Sequence, residues 1–445
     1  MRSRIAPIAD GLRSSYWFLP SVMALASVVL SIVTVAIDHR FPTVLEDTGI
    51  GSGGVDGARG LLETAAGSLI TVAGVSFSIA IVLMSLTSSQ FGPRLLRTFM
   101  RDRANQVVLG VFVSTYLYCL LVLRTIRGEE SGAAFVPSLS VSVSVLLTVA
   151  SLAVFIYFIH HAAQLIQVSH IIASVGTELE ELIDRLVPAG ERTSPEEPDA
   201  LAAPPAGDGR LVRADSSGYV EQVDDESLLT AAVERDVLVR LTVRAGSHVA
   251  PGSVLAEVWP VERTDDACAG AIRGAIVLGD QRTEQQDIEF GLQQLEQIAL
   301  RALSPGINDP FTAGICVDRL GVTLCSLAER PRPSLRTTDD AGRSRVIAQE
   351  LAFTTLLGSA FDEIRRAGRD IIYILDRLLG TLARIAERAH RRTDLEALRA
   401  QAELVLIAAQ HGSHPDEELV ALEAAQRAAL EVIDGRLSET SRREP

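Results

Sequence analysis

The chain has 445 residues, a formal net charge of −15, 47% hydrophobic side chains and no lysine. The missing lysine excludes a P-loop of the usual kind, a Schiff-base enzyme and any lysine-linked prosthetic group. Charge is uneven: residues 1–159 hold 11 arginines against 9 acids, and the remainder 30 against 47. The acidic remainder repels phosphate backbones, so nucleic acid is not an expected partner.

Four uncharged apolar stretches come first, at 18–37, 66–88, 106–123 and 138–159. A hydrocarbon core about 30 Å thick takes roughly 20 helical residues, so each is long enough to span. Lipid offers no partner to a peptide group, which makes these helices rather than strands. The first is too long for a signal core, and no small-residue cleavage pattern follows it, so it should remain as an anchor. Arg2, Arg4 and Arg13, with Arg94, Arg97, Arg101 and Arg103, outnumber Arg40, Arg59, Arg124 and Arg127. That bias predicts cytoplasmic termini in an inner-membrane protein whose first partner is the lipid bilayer. No charged residue falls within these four limits, so a proton relay or ion-coupled pump lacks its usual parts.

The expected fold class is an α-helical integral membrane protein with four transmembrane helices and a mixed cytoplasmic region. Its parts are a transmembrane domain at 1–159, a helical stalk at 160–187, a linker at 188–210, a small β-rich domain at 211–260 and a helical domain at 261–445. Leu165, Val168, Ile172, Val175, Leu179, Leu182 and Leu186 form one helical face, so the stalk is expected to continue the fourth span to Val187. Five prolines between 188 and 205 mark the linker. The 211–260 stretch resembles the half-motifs of barrel-sandwich hybrid domains such as lipoyl carriers and membrane-fusion adaptors. A carrier needs a lysine at the hairpin tip, so a binding or packing module fits better. Farther on, Asp309-Pro310 reads as a cap and first-turn pair for a helix.

Several features invite a functional reading. In the second span Ser68, Thr71, Ser78, Ser85 and Ser89 share an arc of about 120° with Gly67 and Gly74. Small residues allow close helix packing, which is the plain explanation. Copies of the helix could instead surround a wet path, with Val75 and Val82 as constrictions. Gln90, Arg94 and Arg97 would stand at the cytoplasmic mouth, or simply anchor to anionic headgroups. The Ser304–Pro310 corner is a rigid turn, or a site where Arg301, Ser304, Asn308 and Asp309 hold a small cytoplasmic ligand. His411 and His414 read as a polar turn rather than a metal site. Cys119, Cys268, Cys316 and Cys325 lack zinc or disulfide spacing, and neither metal nor cofactor is expected. Gly49–Gly54 matches G-x-G-x-x-G without the strand a dinucleotide site requires, and reads as a flexible loop.

Three stretches together resemble a bacterial family. They are Val75-Ser76-Phe77-Ser78 running to Ser89-Gln90-Phe91-Gly92-Pro93-Arg94, then Gly218-Tyr219-Val220, then Ala302-Leu303-Ser304-Pro305-Gly306-Ile307-Asn308-Asp309-Pro310. The family is that of predicted membrane proteins grouped as domain of unknown function 2254. The resemblance implies a bacterial inner-membrane protein of this layout and supplies no catalytic residues. The residues favour a homo-oligomeric channel-like protein with a cytoplasmic regulatory domain. The alternative is a membrane-anchored sensor or scaffold without transport. An enzyme is not expected, because no nucleophile–base or metal constellation stands at usable spacing.

Overall fold

The computed structural model describes residues 17–41, 54–91, 103–127, 135–165, 167–187, 208–331 and 335–442. The arginines of the N-terminal tail, Gly49–Gly53, Arg94, Arg97, Arg101 and most of the 188–210 linker lie outside them, as do the side chains of Ser89 and Gln90. The described chain is mostly helical and divides into two compact units, residues 1–170 and 171–445.

The first unit contains α1 (Phe18–Arg40), α2 (Gly54–Phe91), α3 (Arg103–Leu123) and α4 (Ser138–Leu165). Helix α3 packs against each of the other three, which is why Phe112, Tyr118, Cys119 and Val122 are buried. Gly110 allows the approach of α1, since a Cβ there would stand 3.3 Å from the Pro20 Cα. Two boundaries differ from the hydropathy pattern. Helix α2 begins at Gly54, twelve residues before the apolar stretch, so Arg59 rides on a helix rather than in a loop. Helix α1 continues past Ile37 and takes in Asp38, which is buried.

The predicted continuous stalk is interrupted. Helix α4 ends at Leu165 and a separate helix, α5, covers Val168–Leu186. Its apolar face is not free: Ile172, Val175, Leu179, Leu182 and Ile183 are buried in the second unit. Burial of that face, rather than continuation of α4, fixes the course of α5.

The β structure comprises β1 (Arg210–Arg213), β2 (Gly218–Val223), β3 (Leu238–Leu241), β4 (His248–Val249), β5 (Val254–Trp259), β6 (Ile276–Gly279), β7 (Arg336–Thr338) and β8 (Ser344–Ile347). They form a five-stranded sheet of order β1-β5-β3-β8-β7 and a three-stranded sheet of order β4-β2-β6. The sheets therefore draw strands from beyond residue 260. Strand β8 pairs parallel to β3, with Val346 opposite Val239, and places a buried valine in the core with Val239, Leu255 and Val258. Helices α6 (Asp225–Arg235) and α7 (Asp266–Gly274) supply Leu228 and Ile272 to the same core.

The helices that follow are α8 (Ile288–Ala302), α9 (Pro310–Glu329), α10 (Phe353–Ala367), α11 (Ile372–Arg388), α12 (Arg392–Gln410) and α13 (Asp416–Ser441). Helices α6 to α9 each begin at an aspartate. Asp224, Asp265, Asp287 and Asp309 accept from the backbone N–H groups of Ser227, Cys268, Phe290 and Thr312 at 3.1, 2.7, 3.0 and 3.1 Å. Each satisfies a donor that the first helical turn leaves unpaired.

The β7–β8 turn is organised by another aspartate. Asp339 accepts from the Ala341 and Arg343 amides and from Arg345 Nε at 3.0, 2.9 and 2.9 Å. These contacts, the Arg343 amide first, pull its carboxyl down to about 2. Arg345 also reaches Asp236 at 2.7 Å. A depressed carboxyl gives stability that is present above its ordinary range and lost as pH falls through its folded value. Acid titration near pH 2 should therefore loosen this turn, and Asp339→Asn should remove that step from a circular-dichroism pH profile.

Five helices are long and apolar enough to cross a membrane: those four of the first unit, and α9. The sequence predicts four. Helix α9 meets the same length and composition, yet buries Cys316, Val317, Leu320 and Leu324 within the second unit.

Candidate functional site

Helix α2 has two faces. Leu62, Ala66, Leu69, Ala73, Ala80 and Leu83 are buried in the bundle. The opposite face carries the residues singled out from the sequence: Ser68, Thr71, Val75, Ser78, Val82 and Ser85 are all exposed. Ile70, Thr71, Gly74, Val75, Ser78 and Val82 border a shallow, open depression along it. A Cβ at Gly67 or Gly74 would meet nothing within 4 Å. The hydroxyls of Ser68, Thr71 and Ser78 donate to the carbonyls of Ala65, Gly67 and Gly74 at 3.0, 2.9 and 2.9 Å. They are thus satisfied within their own helix, and each oxygen retains acceptor capacity.

The outward faces of the flanking helices differ. Leu25, Val29 and Ile32 of α1 are exposed, as are Leu146, Leu152 and Ile156 of α4. Large apolar groups project there, while the α2 face mixes small and hydroxyl residues with its valines and isoleucines.

A buried polar cluster at the C-terminal end of α1 was not anticipated from the sequence. The Asp38 carboxylate accepts from the Leu139 and Ser140 amides at 2.9 and 3.0 Å and from the Ser140 hydroxyl at 2.6 Å. The Tyr118 hydroxyl lies 2.9 Å from that of Thr34 and donates to the Ser140 carbonyl at 3.2 Å. Three helices are joined by these contacts. Elsewhere in the bundle Ser76 Oγ and both amide atoms of Asn105 are buried without a hydrogen-bond partner. Each such group costs about 1–3 kcal/mol while it stays unpaired.

In the second unit the Ser304–Pro310 corner spends its polar groups on its own backbone. Ser304 Oγ donates to the Arg301 carbonyl at 2.7 Å, and the Asn308 and Asp309 amides donate to Ser304 and Ala302 at 2.9 and 2.8 Å. Asn308 sits at φ 50°, a left-handed conformation that asparagine tolerates better than most residues. Asp309 caps α9, and its bonds from Thr312 hold its carboxyl below the usual range. The structure places Arg301, Ser304, Asn308 and Asp309 along one turn. What that turn presents to solvent is apolar: Ile307 is 53% and Phe311 72% exposed. Phe311 stacks on Tyr373 with ring centroids 5.8 Å apart.

His411 and His414 lie against the carbonyls of Ile407 and Arg369, both at 2.7 Å. Among the described residues no group of three or more His, Cys, Asp or Glu is arranged to hold a metal ion.

A family model described as predicted membrane protein, domain of unknown function 2254, matches residues 13–384. The chain belongs to this family. Family membership therefore covers both units, from the start of α1 to α11. Relatives described as uncharacterized proteins of Mycobacterium bovis and Mycobacterium tuberculosis are 33% identical over 439 residues, covering 98% of this chain and 84% of theirs. No solved structure matches.

Proposed function

We propose that the chain is a homo-oligomeric, channel-like protein of the bacterial inner membrane, conducting ions or small solutes passively. In this reading α1 to α4 cross the bilayer, both termini are cytoplasmic, and α9 belongs to the core of a cytoplasmic regulatory unit. Copies of α2 surround the path. Ser68, Thr71, Ser78, Ser85 and Ser89 line it, Val75 and Val82 narrow it, and Gln90, Arg94 and Arg97 stand at its inner mouth.

The observation that carries the proposal is the contrast between outward faces. Lipid is as apolar as leucine, so it suits the exposed faces of α1 and α4 and gives no reason for glycines and hydroxyls on α2. A neighbouring helix or a water path does give one. Four helices per copy are too few to enclose water, so conduction requires several copies. The lone buried carboxylate of the bundle's described part, Asp38, is held by Leu139 and Ser140 at a helix end, a fixed contact rather than a relay. The reading assigns no catalysis and no cofactor. Lipid and further copies of the chain are its partners, with the Arg301–Asp309 turn as the place for a small cytoplasmic ligand.

One observation favours a scaffold or sensor instead. The α2 hydroxyls are already bonded to their own helix, which suits close packing without water. Single-channel recording of the purified full-length protein in planar bilayers separates the two. Ser78→Trp should cut unitary current severalfold in a channel. In a scaffold no current appears and the same substitution only weakens assembly. A protein that stays monomeric in mild detergent and in lipid would overturn conduction.

A further inference from the structure

One carboxylate in the second unit is out of keeping with its surroundings. Glu296 lies on α8 among Leu292, Leu295 and Ala299, residues that are fully buried, and is itself only 9% exposed. Among the described residues no hydrogen bond or ion pair holds its carboxylate. The charged groups that act on it are Glu363 and Asp362 of α10, both of its own sign. The nearby cations are committed elsewhere: Arg365 to Asp362 at 3.2 Å, and Arg366 to Glu363. From α12 the neutral Gln401 donates to Asp362 at 2.8 Å. No charge on α5 or α9 compensates it.

We propose that Glu296 is a proton-responsive latch between α8 and α10: one proton taken up by its carboxylate removes the repulsion from Asp362 and Glu363 and lets the two helices close. A buried carboxylate that lacks a counter-charge is neutralised rather than kept ionised. Burial first, then the charges of Glu363 and Asp362, push this group up to about 7. Its change of state therefore falls within the pH range of a cytoplasm. The position of α8 gives the latch reach. Gly291 on the same helix receives Leu179 of α5, since a Cβ there would lie 2.7 Å from the leucine Cδ1. A shift of α8 thus bears on α5, the first helix of this unit.

The sign is fixed by linkage. An acid raised on folding destabilises the folded state above its folded value, and stability returns as pH falls from there toward the ordinary glutamate range. The test uses full-length protein in nanodiscs, unfolded with urea, with Trp259 of β5 reporting on the second unit. Between about pH 8 and about pH 5 the unfolding equilibrium constant should fall roughly a hundredfold. Glu296→Gln should flatten that dependence and match the acid behaviour of the parent at both pH values. Glu363→Gln should move the midpoint down, toward the ordinary glutamate range. A parent profile that both substitutions leave unchanged would overturn the inference. The readout does not involve conduction, so the latch and the channel stand or fall separately.

Discussion

Replacing Asp38 by alanine should lower the unfolding free energy of the first unit by about 3 kcal/mol, because it strands two backbone amides and a hydroxyl. Those donors belong to Leu139 and Ser140, at the start of α4. Where water is scarce they have nothing else to bond, and the first turn of a helix has no internal partner for its N–H groups. Asp38→Asn retains one acceptor oxygen and should recover part of the loss. Unfolding in mixed micelles with rising detergent denaturant, followed by circular dichroism, gives the comparison. A loss below about 1 kcal/mol would show that water replaces the carboxylate at this helix end.

Leu179→Ala is expected to cost the second unit about 3 kcal/mol, the usual range for a buried leucine whose site cannot collapse. Leu179 is buried against Gly291 of α8. Around it, Arg319 reaches Thr177 at 3.2 Å and Arg330 donates to the Val187 carbonyl at 2.7 Å. Trp259 fluorescence during urea unfolding of the full-length protein would report the change, since the other tryptophan, Trp17, belongs to the first unit. A freestanding stalk would show almost no loss. The experiment therefore decides between an α5 that belongs to the second unit's core and one that merely carries it.

What could be read in the sequence follows from how local the signal is. Each apolar stretch of the first unit announces a helix by its own composition, and Asp309-Pro310 announces α9 within two residues. The face of α5 is legible from its spacing, but the surface that buries it is supplied by helices more than a hundred residues away. Asp38 is invisible to hydropathy because a charge normally ends an apolar stretch. Only the distant amides of Leu139 and Ser140 make it part of the buried helix. Strand β8 likewise looks like part of a polar gap until Val346 is placed opposite Val239. Glu296 did leave a trace. It falls four residues after Leu292 and three before Ala299, on the face those residues bury, so an acid at that position is a local conflict with the pattern. The Ser304–Pro310 corner stands out for its unusual residues, yet its hydrogen bonds are turned inward, and no spacing rule could have told a ligand site from a turn.

The pairing of β3 with β8 also imposes an order on the making of the protein. Residues 239 and 346 must both exist before the five-stranded sheet can close. A ribosome adding roughly 5–20 residues per second would keep β3 waiting many seconds for its neighbour. For that interval one side of the strand offers unpaired amides and carbonyls to any extended segment nearby. The excursion that contains α8 and α9 lengthens the wait. A growing chain of this design has reason to engage a chaperone between the appearance of β3 and that of β8, and chains stalled in that window would be the ones to aggregate.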